Sequence, residues 1–100
     1  MEKKTAHYRL PDVKALVAEN RVSATKTALA GAAALGLDFE AMKEVITNLE
    51  TGDLYKSMTS YNDHTIWQDV YLFPSEEAGD IYLKLSVIGD VLIVSFKERV

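Results

Sequence analysis

Apolar residues recur every three or four positions through the first half of this chain and every second position through the second half. The segment FEAMKEVITNL, residues 39–49, is the clearest case of the longer period. Phe39, Met42, Val45, Ile46 and Leu49 fall on one side of a helix, and Asp38 is its natural N-cap. Two weaker helical segments precede it. One starts near Pro11, a residue favoured in a first turn, carries Val13, Leu16 and Val17, and fades around Asn20. The other takes Ser23 as its N-cap, carries Ala28, Leu29, Ala32 and Ala33, and stops at Gly36. Gly52-Asp53 ends this regime. LYKSMTSY (54–61) and IWQDVYLF (66–73) then read as strands joined by NDHT, and Pro74 and Gly79 bracket an acidic loop. The extreme N-terminus carries only a weak signal for an edge strand.

The last stretch, IYLKLSVIGDVLIVSFK (81–97), predicts a hairpin around Gly89-Asp90, with a two-residue type II′ turn. Ile88 then faces Val91, and opposed residues carry numbers that sum to 179. Ser86 faces Ile93, Lys84 faces Ser95, and Tyr82 faces Lys97. Alternation puts these eight on one side and Leu83, Leu85, Val87, Leu92, Val94 and Phe96 on the other, which is the expected core. The polar side is either a wetted sheet face, as antiparallel sheets commonly have, or a site.

Three helices followed by four strands predict an α+β fold, with the helices packed on one face of a mostly antiparallel sheet. The length suits a single domain over residues 1–100. Cysteine is absent, which removes disulfides, thiolate zinc sites and thiol catalysis. MEKKTAHYRL has no apolar run of the kind a signal peptide needs. ALAGAAALGL (28–37) is far short of the ~20 residues that cross a bilayer, so a soluble cytoplasmic protein with no membrane partner is expected. Residues 1–50 hold seven bases and seven acids; residues 51–100 hold four bases and eight acids. An acidic second half opposes non-specific nucleic-acid binding.

SATKTALAGAAALGLDFEAMKEVI resembles a helix-turn-helix, but its second helix carries Glu40 and Glu44 against Lys43, so no DNA binding by the isolated chain is expected. Asp63, His64 and Asp69 match no metal-ligand spacing, and a lone His7 or His64 is more often a surface or capping residue. No metal or other cofactor is expected. Lys56 and Gln68 fall within strands, and with Tyr82 and Lys97 they form a chemically coherent set. Metal-independent RNA cleavage needs a deprotonated 2′-hydroxyl, a stabilised phosphorane and a protonated 5′-oxygen. Lysines stabilise phosphate charge and exchange protons when their pKa is lowered, as clustering lowers it. Tyrosine supplies a hydrogen bond or a proton, and glutamine orients a phosphate oxygen or a base. Lys84 and Ser95, on the same face, are candidates for RNA binding.

DLYKSMTSYNDHTIWQDVY (53–71) and YLKLSVIGDVLIVSFKE (82–98) closely resemble the MqsR family of bacterial type II toxins, as do MEKKTAHYRL and ALGLDF (34–39). The resemblance implies a RelE-like microbial-ribonuclease fold and a sequence-preferring endoribonuclease that cuts single-stranded messenger RNA at GC-containing sites. It also implies a cognate MqsA-type antitoxin as partner, and it puts the family's functional lysines, glutamine and tyrosine on Lys56, Gln68, Tyr82 and Lys97. A four-residue NDHT loop would leave Lys56 and Gln68 on opposite faces. Their convergence calls for an odd-length loop or a bulge, since bulges re-aim side chains beside active sites. The alternative function is a non-catalytic interaction module that keeps antitoxin binding.

Overall fold

The computed structural model describes residues 1–99, and the predicted α+β architecture is what it contains. In chain order the elements are strand β1 (Glu2–Lys3), helix α1 (Leu10–Ala18), strand β2 (Val22–Ala24), and helices α2 (Lys26–Ala34) and α3 (Phe39–Asn48). A 3₁₀ turn (Thr51–Asp53) leads into β3 (Leu54–Thr59), β4 (Trp67–Ser75), β5 (Gly79–Ile88) and β6 (Asp90–Glu98).

Helix boundaries follow their capping chemistry. Asp38 accepts from Ala41 N–H at 2.8 Å and starts α3. The end of α2 is a Schellman turn: Gly36 N–H donates to Ala33 O and Leu37 N–H to Ala32 O, with Gly36 at φ 75°. α1 ends the same way, with Asn20 in the left-handed position. The expected cap of α2 is corrected. Ser23 lies in β2, and Thr25 caps the helix, its hydroxyl oxygen accepting from Ala28 N–H at 3.1 Å. The stripe of α2 also differs from expectation. Ala28 and Ala32 are buried, whereas Leu29 is 41% exposed. The reason is close approach: a Cβ on Gly31 would stand 1.9 Å from the Phe96 carbonyl oxygen, so α2 meets β6 through its smallest residues.

The strands form one sheet in the order β1-β3-β4-β5-β6-β2, antiparallel except where β2 runs parallel to β6. Three residues carry too little pattern for β2 to be read from sequence. The weak N-terminal edge strand is present as β1 against β3. Pro74 lies inside β4, beyond the part of that strand that β3 covers, so its missing N–H costs no ladder bond.

The β5–β6 register holds at 179 for Tyr82–Lys97, Leu83–Phe96 and Lys84–Ser95, then changes. Leu85 pairs with Ile93, Val87 with Val91 and Ile88 with Asp90, leaving Val94 as the extra residue of a bulge. Gly89, at φ 74°, stands alone at the tip, in place of the two-residue turn. The bulge exchanges faces near the turn: Val91 and Ile93 enter the core, and Leu92 and Val94, expected there, are half-buried outside it. Thr25 holds this arrangement. Its N–H donates to Ile93 O, continuing the β2–β6 pairing, and its hydroxyl donates to the carbonyl of the bulged Val94.

The core lies between the helices and one sheet face, where Ile81, Leu83, Leu85, Ile93 and Phe96 meet Val13, Ala28, Met42 and Ile46. Among the described residues no helix is long and apolar enough to cross a membrane. Among the described residues no helix lies over the opposite sheet face, and the register decides which side chains stand there.

Candidate active site

Pairing across the sheet builds the uncovered face row by row. Leu72 opposes Tyr82, which opposes Lys97; Lys56 opposes Val70, which opposes Lys84, which opposes Ser95. Met58 opposes Gln68 in the next row. The loop between Thr59 and Trp67 is odd in length, and the β3–β4 register sums to 126. Lys56, Gln68, Tyr82 and Lys97 therefore share one face, together with Lys84 and Ser95. They are not all neighbours. Tyr82 and Lys97 are directly opposed, and the Lys97 ammonium lies 5.1 Å from the Tyr82 ring centroid. Gln68 stands two rows away, roughly 13 Å along the strands at about 3.3 Å per residue.

A bulge in β3 falls between Leu54 and Lys56, at Tyr55. Tyr55 is 46% exposed and joins Leu72, Tyr82, Lys97, Glu98 and Arg99 around an open groove of about 450 Å³. Strict alternation would have sent Tyr55 into the core, so nothing in the residue pattern announces its place here. Glu2 is a second unexpected participant. β1 brings its carboxylate 2.8 Å from the Lys56 ammonium.

Each titratable group on this face has its own environment. The hydrogen bond to Glu2 raises the pKa of Lys56 and, from the other side, lowers that of Glu2, so this pair stays ionised. Burial raises the Tyr82 pKa, outweighing the nearby Lys56 charge, and the phenol keeps its proton. Burial lowers the pKa of Lys84, and the Lys97 and Lys56 charges lower it further. Val70, fully buried between Lys56 and Lys84, gives these lysines an apolar floor.

The remaining candidates of the sequence do other work. Asp69 is fully buried on the helix-covered face. It accepts from the Ser57 hydroxyl at 2.6 Å and from the His7 and Tyr8 N–H groups at 3.0 and 2.9 Å, which ties the N-terminal segment to the sheet. His7 stacks on Trp67, with ring centroids 5.1 Å apart. Asp63 holds its own loop by accepting from the Thr65 N–H and hydroxyl. Among the described residues no three His, Asp or Glu side chains are grouped to hold a metal ion. Helices α2 and α3 pack on each other.

The arrangement can bind a polyanion along the bare face and act at its Tyr82–Lys97 end. Three of the four bases that follow residue 50 stand on this face, and the fourth, Arg99, lines the adjoining groove. The acidic balance of the second half is thus a property of the rest of its surface.

Comparison with known proteins identifies the family. Residues 5–98 match the family model described as "Motility quorum-sensing regulator, toxin of MqsA". The chain is also 58% identical, over 99 residues, to the mRNA interferase toxin MqsR of Escherichia coli (strain K12), covering 99% of this chain and all of that protein.

Proposed function

Because this chain belongs to the MqsR toxin family, we propose that it is the toxin of a type II toxin–antitoxin pair and cleaves messenger RNA internally at GC-containing, single-stranded sites. The whole chain acts as one ribonuclease domain in the cytoplasm, where an MqsA-type antitoxin neutralises it. The relative's name, mRNA interferase, supports the reaction class, and the family description supports the partner. The observation that carries the reading is the gathering of Lys56, Lys84, Lys97 and Tyr82 on one uncovered sheet face of an otherwise acidic half-chain.

Cleavage proceeds by attack of the ribose 2′-hydroxyl on the adjacent phosphorus, which requires no metal cofactor. Lys97 and Lys56 stabilise the charge that develops on the phosphorane oxygens. Tyr82, which keeps its proton, donates a hydrogen bond or a proton at the scissile phosphate. Gln68, two rows along the sheet, orients the RNA away from the cut, with Ser95 and Lys84 beneath its path.

The test is incubation of the purified chain, with excess EDTA and no ribosomes, with single-stranded RNA containing every trinucleotide. Cut ends are mapped by sequencing. Cuts clustered at GC-containing positions are expected, and they should vanish on addition of the antitoxin. A folded protein that leaves this RNA intact would overturn the proposal.

A further inference from the structure

The three lysines of the bare face are chemically distinct. Lys56 is held by Glu2 at 2.8 Å. Lys97 lies at the end of the face, over the Tyr82 ring. Lys84 stands on the central strand β5, half-buried, between the fully buried Val70 of β4 and Ser95 of β6. The charged and titratable groups facing it are Lys97 from β6, Tyr82 one row along β5, and Lys56 across Val70 from β3, with Glu2 behind Lys56. Among the described residues, no carboxylate pairs with Lys84 and no acceptor takes a hydrogen bond from it. A half-buried ammonium set between two cations without a counter-ion is relieved by losing its proton.

We propose that Lys84 is the general base that takes the proton from the ribose 2′-hydroxyl, leaving Lys56 and Lys97 as permanent cations on the phosphate. This rests on the ribonuclease reading of the face. The Lys84 amine takes the 2′-hydroxyl proton and becomes an ammonium, while the 2′-oxygen forms a bond to phosphorus. The bond from phosphorus to the 5′-oxygen breaks, and that oxygen leaves with the Tyr82 phenolic proton. The products are a 2′,3′-cyclic phosphate and a 5′-hydroxyl. Solvent returns a proton to Tyr82 and removes one from Lys84, with no change of oxidation state. The pKa directions agree: Lys84 is lowered, whereas Lys56 and Tyr82 are raised.

Lys84→Arg and Lys84→Ala, checked for folding by circular dichroism, separate a base from a phosphate contact in single-turnover cleavage across pH. Arginine keeps the charge but cannot give up its proton. Both variants should lose cleavage by on the order of 100-fold or more, and Lys84→Ala should regain it with a small primary amine, in proportion to the free base. Cleavage by Lys84→Arg close to wild type would overturn the assignment while leaving the ribonuclease intact. A wild type that never cleaves refutes the ribonuclease reading instead. Should the variants fail to fold, NMR titration of the wild-type lysine side chains decides: Lys84 losing its proton at lower pH than Lys56 supports the assignment, and the reverse order refutes it.

Discussion

The two faces of the sheet are built from alternate residues of the same strands, yet they treat charge in opposite ways. On the covered face Asp69, fully buried, meets the Ser57 hydroxyl and two backbone N–H groups. On the bare face Lys56, Lys84 and Lys97 stand in adjacent rows, and among the described residues a carboxylate, Glu2, pairs with Lys56 but none pairs with Lys84 or Lys97. One face satisfies its charge internally and becomes stable. The other leaves positive charge unmet, which is useful only when something anionic arrives. A period of two makes this division possible, and a one-residue slip would undo it. The Val94 bulge sets where β6 changes register, and Thr25 fixes the bulge.

Substitutions on the two faces should therefore separate stability from activity. Asp69→Ala would strip three donors of their acceptor in a dry site, and we expect a loss on the order of 3 kcal/mol in denaturant unfolding. Gly31→Ala pushes a methyl group against the Phe96 carbonyl. It should cost about 2 kcal/mol and also impair cleavage, since Lys97 is the next residue. Thr25→Ala removes the α2 cap and the partner of the bulge carbonyl, for roughly 1–2 kcal/mol. A smaller effect concerns pH. Because the Lys84 pKa is lowered on folding, the unfolded chain binds the extra proton between the lowered value and 10.5. Stability contributed at this site should rise with pH through that window, and Lys84→Met should remove the slope. Glu2→Gln should change least. It leaves the unfolding midpoint where it is, because the pair is exposed, and brings the Lys56 pKa back down towards its ordinary value.

Much of this was legible in the sequence, and the gaps have physical causes. The Phe39–Leu49 stripe and the Asp38 cap identified α3 because a long amphipathic helix repeats its signal several times. The pairing of Tyr82 with Lys97 followed from counting outwards from an expected Gly89-Asp90 turn, and it holds because the one-residue tip and the Val94 bulge offset each other. The same arithmetic failed beyond Lys84, where a bulge restarts the count without any local residue announcing it. It failed again at Tyr55, turned outward by the β3 bulge. β2 escaped notice because three residues have no period, and with it went the true cap of α2. Glu2 belongs to the site only because β1 pairs with β3, a contact between residues more than fifty positions apart.

The most direct test measures unfolding and RNA cleavage side by side on Lys97→Ala and Asp69→Ala. We expect Lys97→Ala to unfold as wild type does and to lose cleavage by on the order of 100-fold or more, while Asp69→Ala unfolds early. A well-folded Lys97→Ala that cleaves RNA as fast as wild type would contradict the assignment of the bare face as the active site.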